Sequence, residues 1–109
     1  MDSILNSTKR LVGGITEDDH SFDSDIIMHI NATFVTLKQL GVGPEAGFSI
    51  TDENATWTDY LADDPNVGLV KTYMGAKVKL LFDPPLNSSH LAALEKSISE
   101  LEWRITNPV

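Results

Sequence analysis

Three histidines, His20, His29 and His90, are the side chains best suited to proton transfer or metal binding near neutral pH. They fall in separate stretches, and no H-x-x-x-H or H-E-x-x-H pair sets two of them one helical turn apart. They read as ordinary polar residues. The run from Glu17 through Asp18, Asp19, His20, Ser21, Phe22, Asp23 and Ser24 to Asp25 is rich in oxygen ligands. It lacks the central glycine and closing glutamate of an EF-hand loop, and helix capping and solvation account for it better. The absence of cysteine excludes disulfides, thiolate zinc sites and cysteine nucleophiles. No serine sits in a G-x-S-x-G elbow, and Gly13-Gly14 belongs to no phosphate-binding fingerprint. Sequons at Asn6, Asn31, Asn54 and Asn87 read as accidents of composition, and Tyr60 and Tyr73 read as packing residues. No catalytic constellation, cofactor site or metal site assembles, so a non-enzyme is expected.

Charge narrows the field further. Acidic residues number 16 against 8 basic ones, a net charge of −8. Proteins that grip nucleic acid neutralise phosphates with clustered Lys and Arg, and here only Lys71, Lys77 and Lys79 approach a stripe. Tight DNA binding is disfavoured. No apolar run approaches the length of a membrane span, and Asp2-Ser3 follows Met1 where a signal peptide would carry basic residues. A cytosol-like place of synthesis is expected. With 109 residues, the chain is expected to form a single domain that buries about 65% of its unfolded surface.

The elements follow from apolar spacing. Ile4, Leu5, Thr8, Leu11 and Val12 make one face of a short helix that Asp2 or Ser3 caps and Gly13-Gly14 stops. A helix so short must dock on something, and a core-packing role is favoured over a detachable arm. Asp23 is the expected N-cap of a helix over 23–40, with Phe22 stapled onto Ile27 and with Ile26, Ile30, Phe34, Leu37 and Leu40 on its apolar face. Periodicity is lost from Gly41 to Ala55. There Gly47-Phe48-Ser49-Ile50-Thr51 alternates like a strand that has no partner in the chain, so an extended, mobile arm over 42–55 is expected. Thr56 and Asp59 frame a capping box for a short helix over 57–61. Asp64-Pro65 opens a helix to Asp83, its stripe running Val67, Val70, Met74, Val78, Leu81 and Phe82, and Pro84-Pro85 ends it. The last helix, 88–106, repeats Leu91, Leu94, Ile98, Leu101 and Ile105 at 3-4 spacing, with Trp103 off that seam. The fold class is therefore all-α. Helices 23–40, 65–83 and 88–106 are expected to share the core, with the short N-terminal helix and the arm beside them.

In this order, Asp23-x-Asp25-Ile26-Ile27, Phe48-Ser49-Ile50-Thr51, Thr56-Trp57-Thr58-Asp59-Tyr60-Leu61, Leu81-Phe82-Asp83-Pro84-Pro85 and Glu100-Leu101-Glu102-Trp103-Arg104 span nearly the whole chain. The pattern resembles the small head–tail connector proteins of long-tailed phages, the head-completion or adaptor family. The resemblance implies a helical subunit that forms a dodecameric ring beneath the portal protein, extends the DNA channel and docks the next head-completion or tail protein. It implies a virion location at the head–tail interface after assembly in the host cytoplasm, with no catalytic residue, no cofactor and no membrane. DNA would pass without specific binding. Phe48, Ile50, Trp57, Trp103 and Arg104 are the candidate assembly contacts. The competing reading is a small acidic helical regulator that binds one protein partner in the cytosol. A helix-turn-helix DNA binder is weaker, because no helix carries a basic recognition face.

Overall fold

Ser3 starts the first helix, α1 (Ile4–Val12), by accepting a hydrogen bond from the Asn6 amide on its side-chain oxygen at 3.2 Å. Gly13 ends it with a positive φ of 85°, open to glycine and strained for other residues. The computed structural model describes residues 2–107. Beyond α1 they form α2 (Asp23–Gln39), α3 (Trp57–Leu61), α4 (Val67–Phe82) and α5 (Ser88–Thr106), and no strand is present among the described residues. The small all-α bundle expected from the spacing is observed. The capping box also forms, with Thr56 Oγ1 accepting from the Asp59 amide and the Asp59 carboxylate accepting from the Thr56 amide.

Two starts differ from expectation. Asp23 is the first residue of α2 and does not cap it, and Phe22 at the cap position offers no side-chain bond. The Asp23 carboxylate is drawn to Lys9 and His20, because a charge partner outweighs a bond to a terminal amide. The Phe22 ring, expected to staple onto Ile27, meets the Phe82 ring edge-on at 5.5 Å. Helix α4 begins two residues after Pro65. Asp64 Oδ1 accepts from the Asn66 amide at 2.8 Å and its carbonyl from Val67, a local turn that uses up the expected cap.

Helix α4 packs against α1, α2 and α5. Its Tyr73, Met74 and Val78 are fully buried. The Tyr73 hydroxyl donates to Glu102 Oε2 at 2.7 Å, and Val70 and Ile105 line one cleft, so α5 runs antiparallel to α4. Phe22 and His29 meet Phe82, while Val42 lies beside Val70, so α2 is antiparallel to α4 as well. Helix α1 crosses closely at Gly75, where a Cβ would fall 2.5 Å from that of Leu11. The short first helix is thus a full member of the core, with Ile4, Leu5, Thr8 and Val12 buried. Two residues expected on apolar faces are exposed, the first being Leu11 of α1 at 48%. Leu81, expected on the stripe, is 44% exposed, whereas Tyr73 beside the stripe is buried because Glu102 satisfies its hydroxyl.

The segment read as a partnerless arm is packed. Phe48 lies edge-on to Phe34 at 5.2 Å and beside Tyr60 at 5.0 Å, and Ile50 is buried. Its missing partner is a side chain. Asn31 donates from Nδ2 to the Ile50 carbonyl at 3.0 Å and accepts from the Ile50 amide on Oδ1 at 2.8 Å, imitating a strand neighbour. Further on, Ser3 and Thr56 form an antiparallel bridge, with the Ile4 amide donating to Ala55 and the Trp57 amide to Asp2. Gly43, with φ of 88°, lies against Tyr60, and a Cβ there would fall 2.6 Å from its Cε1.

Ile30→Asp, which places an unpaired charge in the core, should abolish cooperative thermal unfolding, whereas Leu81→Asp should melt within a few degrees of the parent. Asn31→Ala orphans both backbone groups of Ile50 and should lower stability by about 2 kcal/mol in urea denaturation.

Candidate functional site

Between α1 and α2 lies the chain's most enclosed charge. The Lys9 side chain is fully buried, with Nζ 2.6 Å from Asp23 Oδ1 and 3.4 Å from the Glu17 carbonyl. The Asp23 contact is a close ion pair. His20 Nδ1 meets the other Asp23 oxygen at 2.8 Å. Burial raises the Asp23 pKa, but contact with Lys9 and His20 outweighs it and holds the carboxyl below its ordinary 3.8. Asp19 is lowered too, chiefly by the Ser21 backbone amide that bonds its carboxylate. The acidic run therefore works through an ion pair and a turn, with Glu17 paired to Arg10.

The other buried groups are structural. Trp57 Nε1 donates to Ser7 Oγ at 2.8 Å. Burial pushes the Tyr60 hydroxyl up to about 12, and burial followed by the Glu102 hydrogen bond and charge raises Tyr73 as well. Both phenols stay neutral at physiological pH. His29 stacks its edge near Phe82, and His90 is exposed. Among the described residues, no three of His, Asp and Glu converge in a way that could hold a metal ion.

The five candidate assembly contacts separate sharply. Ile50 and Trp57 are buried in the core, and Phe48 is half-buried in the aromatic group with Phe34 and Tyr60. In this conformation their surfaces are occupied within the chain. Trp103 is 62% exposed and Arg104 is exposed beside it. Helix α5 explains this, since it leans on α4 through Ile98 and the half-buried Leu91, Leu94, Leu101 and Ile105, and leaves its other faces uncovered.

Two features escape a reading by spacing. Asp25, Met28, Ala32, Val35 and Gln39 form an exposed line on α2, in which Met28 is 58% and Val35 59% exposed. Each looks like one stray apolar residue beside the stronger Ile26–Leu37 stripe, though the 3-4-3-4 recurrence could have marked the line. The second is an open cleft of about 440 Å³ between α1, α2 and residues 51–54. Nothing local in the sequence brings Leu5, Ile27 and Glu53 together.

The fold thus leaves surface for other chains on two helices that both pack on α4. The chain belongs to the phage connector protein family, whose model matches residues 4–108. It is a structural connector component of a phage virion, and such proteins assemble with other phage head and tail proteins. The resemblance carried by the motifs and this match agree. No curated protein and no solved structure gives a significant match. No helix among the described residues is long and apolar enough to cross a membrane.

Asp23→Asn leaves the Lys9 ammonium buried without its counter-charge and should cost about 3 kcal/mol at pH 7. Because the folded-state pKa of Asp23 is lowered, the pair's contribution is full above 3.8 and is lost as pH falls through the lower folded value. The stability gap between parent and variant, measured in urea at stepped pH, should therefore narrow below 3.8.

Proposed function

We propose that this connector is a single-domain head-completion or adaptor subunit. It forms a dodecameric ring beneath the portal protein, extends the DNA channel and docks the next connector or tail protein at the head–tail interface. The subunit is made in the host cytoplasm and works by shape and contact, with no catalysis and no cofactor.

The observation that supports this reading best is the pair of unlike uncovered surfaces, the Met28–Val35 line on α2 and the Trp103 face of α5. Two-fold dimers join one patch to itself. A subunit that presents two different patches joins head to tail, and head-to-tail contacts that close make rings. The net charge of −8 suits a channel wall that repels phosphate weakly, within roughly 8–10 Å at physiological salt.

Native mass measurement of the purified chain, alone and mixed with its portal protein, should reveal large oligomers or a portal-bound ring. In the same preparations, labelled duplex DNA should bind weakly at low salt and be released as salt rises. A chain that stays monomeric or dimeric under both conditions contradicts the ring. Submicromolar duplex binding at physiological salt contradicts the passive channel wall.

A further inference from the structure

We infer that the Trp103-Arg104 end of α5 seats in the acidic cleft between α1, α2 and residues 51–54 of a second copy of this chain. This contact rests on the ring reading and names the residues that would join neighbouring subunits.

The cleft has two chemistries. Leu5 is buried and Ile27 half-buried, giving an apolar floor, while Asp52 and Glu53 stand exposed at the rim. Asp23 also lines it, but its charge is already met by Lys9, and His20 bonds its other oxygen. Among the described residues, Asp52 and Glu53 make no ion pair, and Asp52 only accepts the Asn54 amide at 2.8 Å. Two uncompensated carboxylates therefore border an open cleft of about 440 Å³ whose floor is apolar at Leu5 and Ile27.

The matching piece lies elsewhere on the same chain. Trp103 is the most exposed aromatic described, and Arg104 has no carboxylate partner among the described residues. Successive helical residues diverge by about 100°, so the indole and the guanidinium straddle one end of α5, one apolar and one cationic. That pairing mirrors the cleft. Arg binds carboxylates through its planar fork, and Trp and Arg are the residue types that most often dominate interface energies. The other unpaired cations, Lys38, Lys77 and Lys96, have no exposed aromatic adjoining them in sequence.

Piece and cleft belong to different sides of the fold. The cleft is lined by residues of α1, α2 and their flanking loops, whereas α5 packs on α4. The match is therefore made between copies, and it joins unlike patches head to tail. The surface also continues past the cleft, because Met28 stands one helical turn beyond Ser24, which lines it.

Arg104→Glu, and separately the double substitution Asp52→Arg with Glu53→Arg, should each weaken self-association at least tenfold by sedimentation while leaving thermal unfolding cooperative. An equimolar mixture of the two variants should assemble again. In alternation, every helix end carrying the Arg104→Glu change meets a cleft carrying the two new arginines, and every unaltered Arg104 meets the original carboxylates. Trp103 emission should shift to the blue on assembly, with Trp57, already buried, as the constant background. Undiminished assembly of either variant, or a mixture that fails to recover, overturns the pairing and leaves the ring reading standing. A parent chain that stays monomeric both alone and on its portal overturns the pairing and the ring together.

Discussion

The structure depends on covering α4 from three sides. Tyr73, Met74 and, one turn on, Val78 are fully buried, each worth roughly 1.5–3 kcal/mol of burial, and a single partner helix shields only one stripe. Each neighbour meets the demand differently. Helix α1 comes in close because Gly75 has no side chain to hold Leu11 away. Helix α5 satisfies the Tyr73 hydroxyl with Glu102, which lets the phenol be buried at all. Helix α2 brings Phe22 and His29 to the aromatic end at Phe82. Because α5 is held on that one side only, the same arrangement leaves Trp103 in solvent.

Polar groups fix register within this apolar frame. The buried Lys9 ammonium has one carboxylate to meet, so α1 and α2 are aligned where Asp23 begins its helix. Asn31 acts similarly at the middle of α2, holding the Ile50 backbone at both its donor and its acceptor. Trp57 bonds Ser7 and so ties α3 to α1. Apolar packing alone tolerates sliding of one helix along another, and these directional contacts do not.

Helical periodicity made α1, α2 and α5 legible almost to the residue, and the Thr56–Asp59 box located α3. Local rules failed where a long-range partner took over a residue's chemistry. Asp23 has the ideal composition for a cap, and only the fold reveals a buried lysine competing for it. Ile50 looks like a strand lacking a neighbour because an asparagine on a helix carries no signature of a sheet edge. Trp103 is legible as a surface feature because it lies off the α5 seam, whereas the burial of Ile50 and Trp57 and the half-burial of Phe48 depend on Asn31, Ser7, Phe34 and Tyr60, three of which lie well apart from them in the chain. The acidic cleft was invisible, since its floor and rim come from segments far apart in the chain.

The first helix also has a history set by chain order. Everything α1 docks on comes later: Ala55 and Trp57 hold its start, and Gly75 and Lys79 meet its end. A nine-residue helix is marginal by itself, so α1 owes its helical form to partners that follow it in the chain. Its docking on α4 closes some of the longest loops in the molecule, whereas its Lys9–Asp23 pair to α2 spans only a short one. The beginning of the fold is therefore tied to its later part, and a polypeptide interrupted before α4 lacks the helix against which its first residues pack.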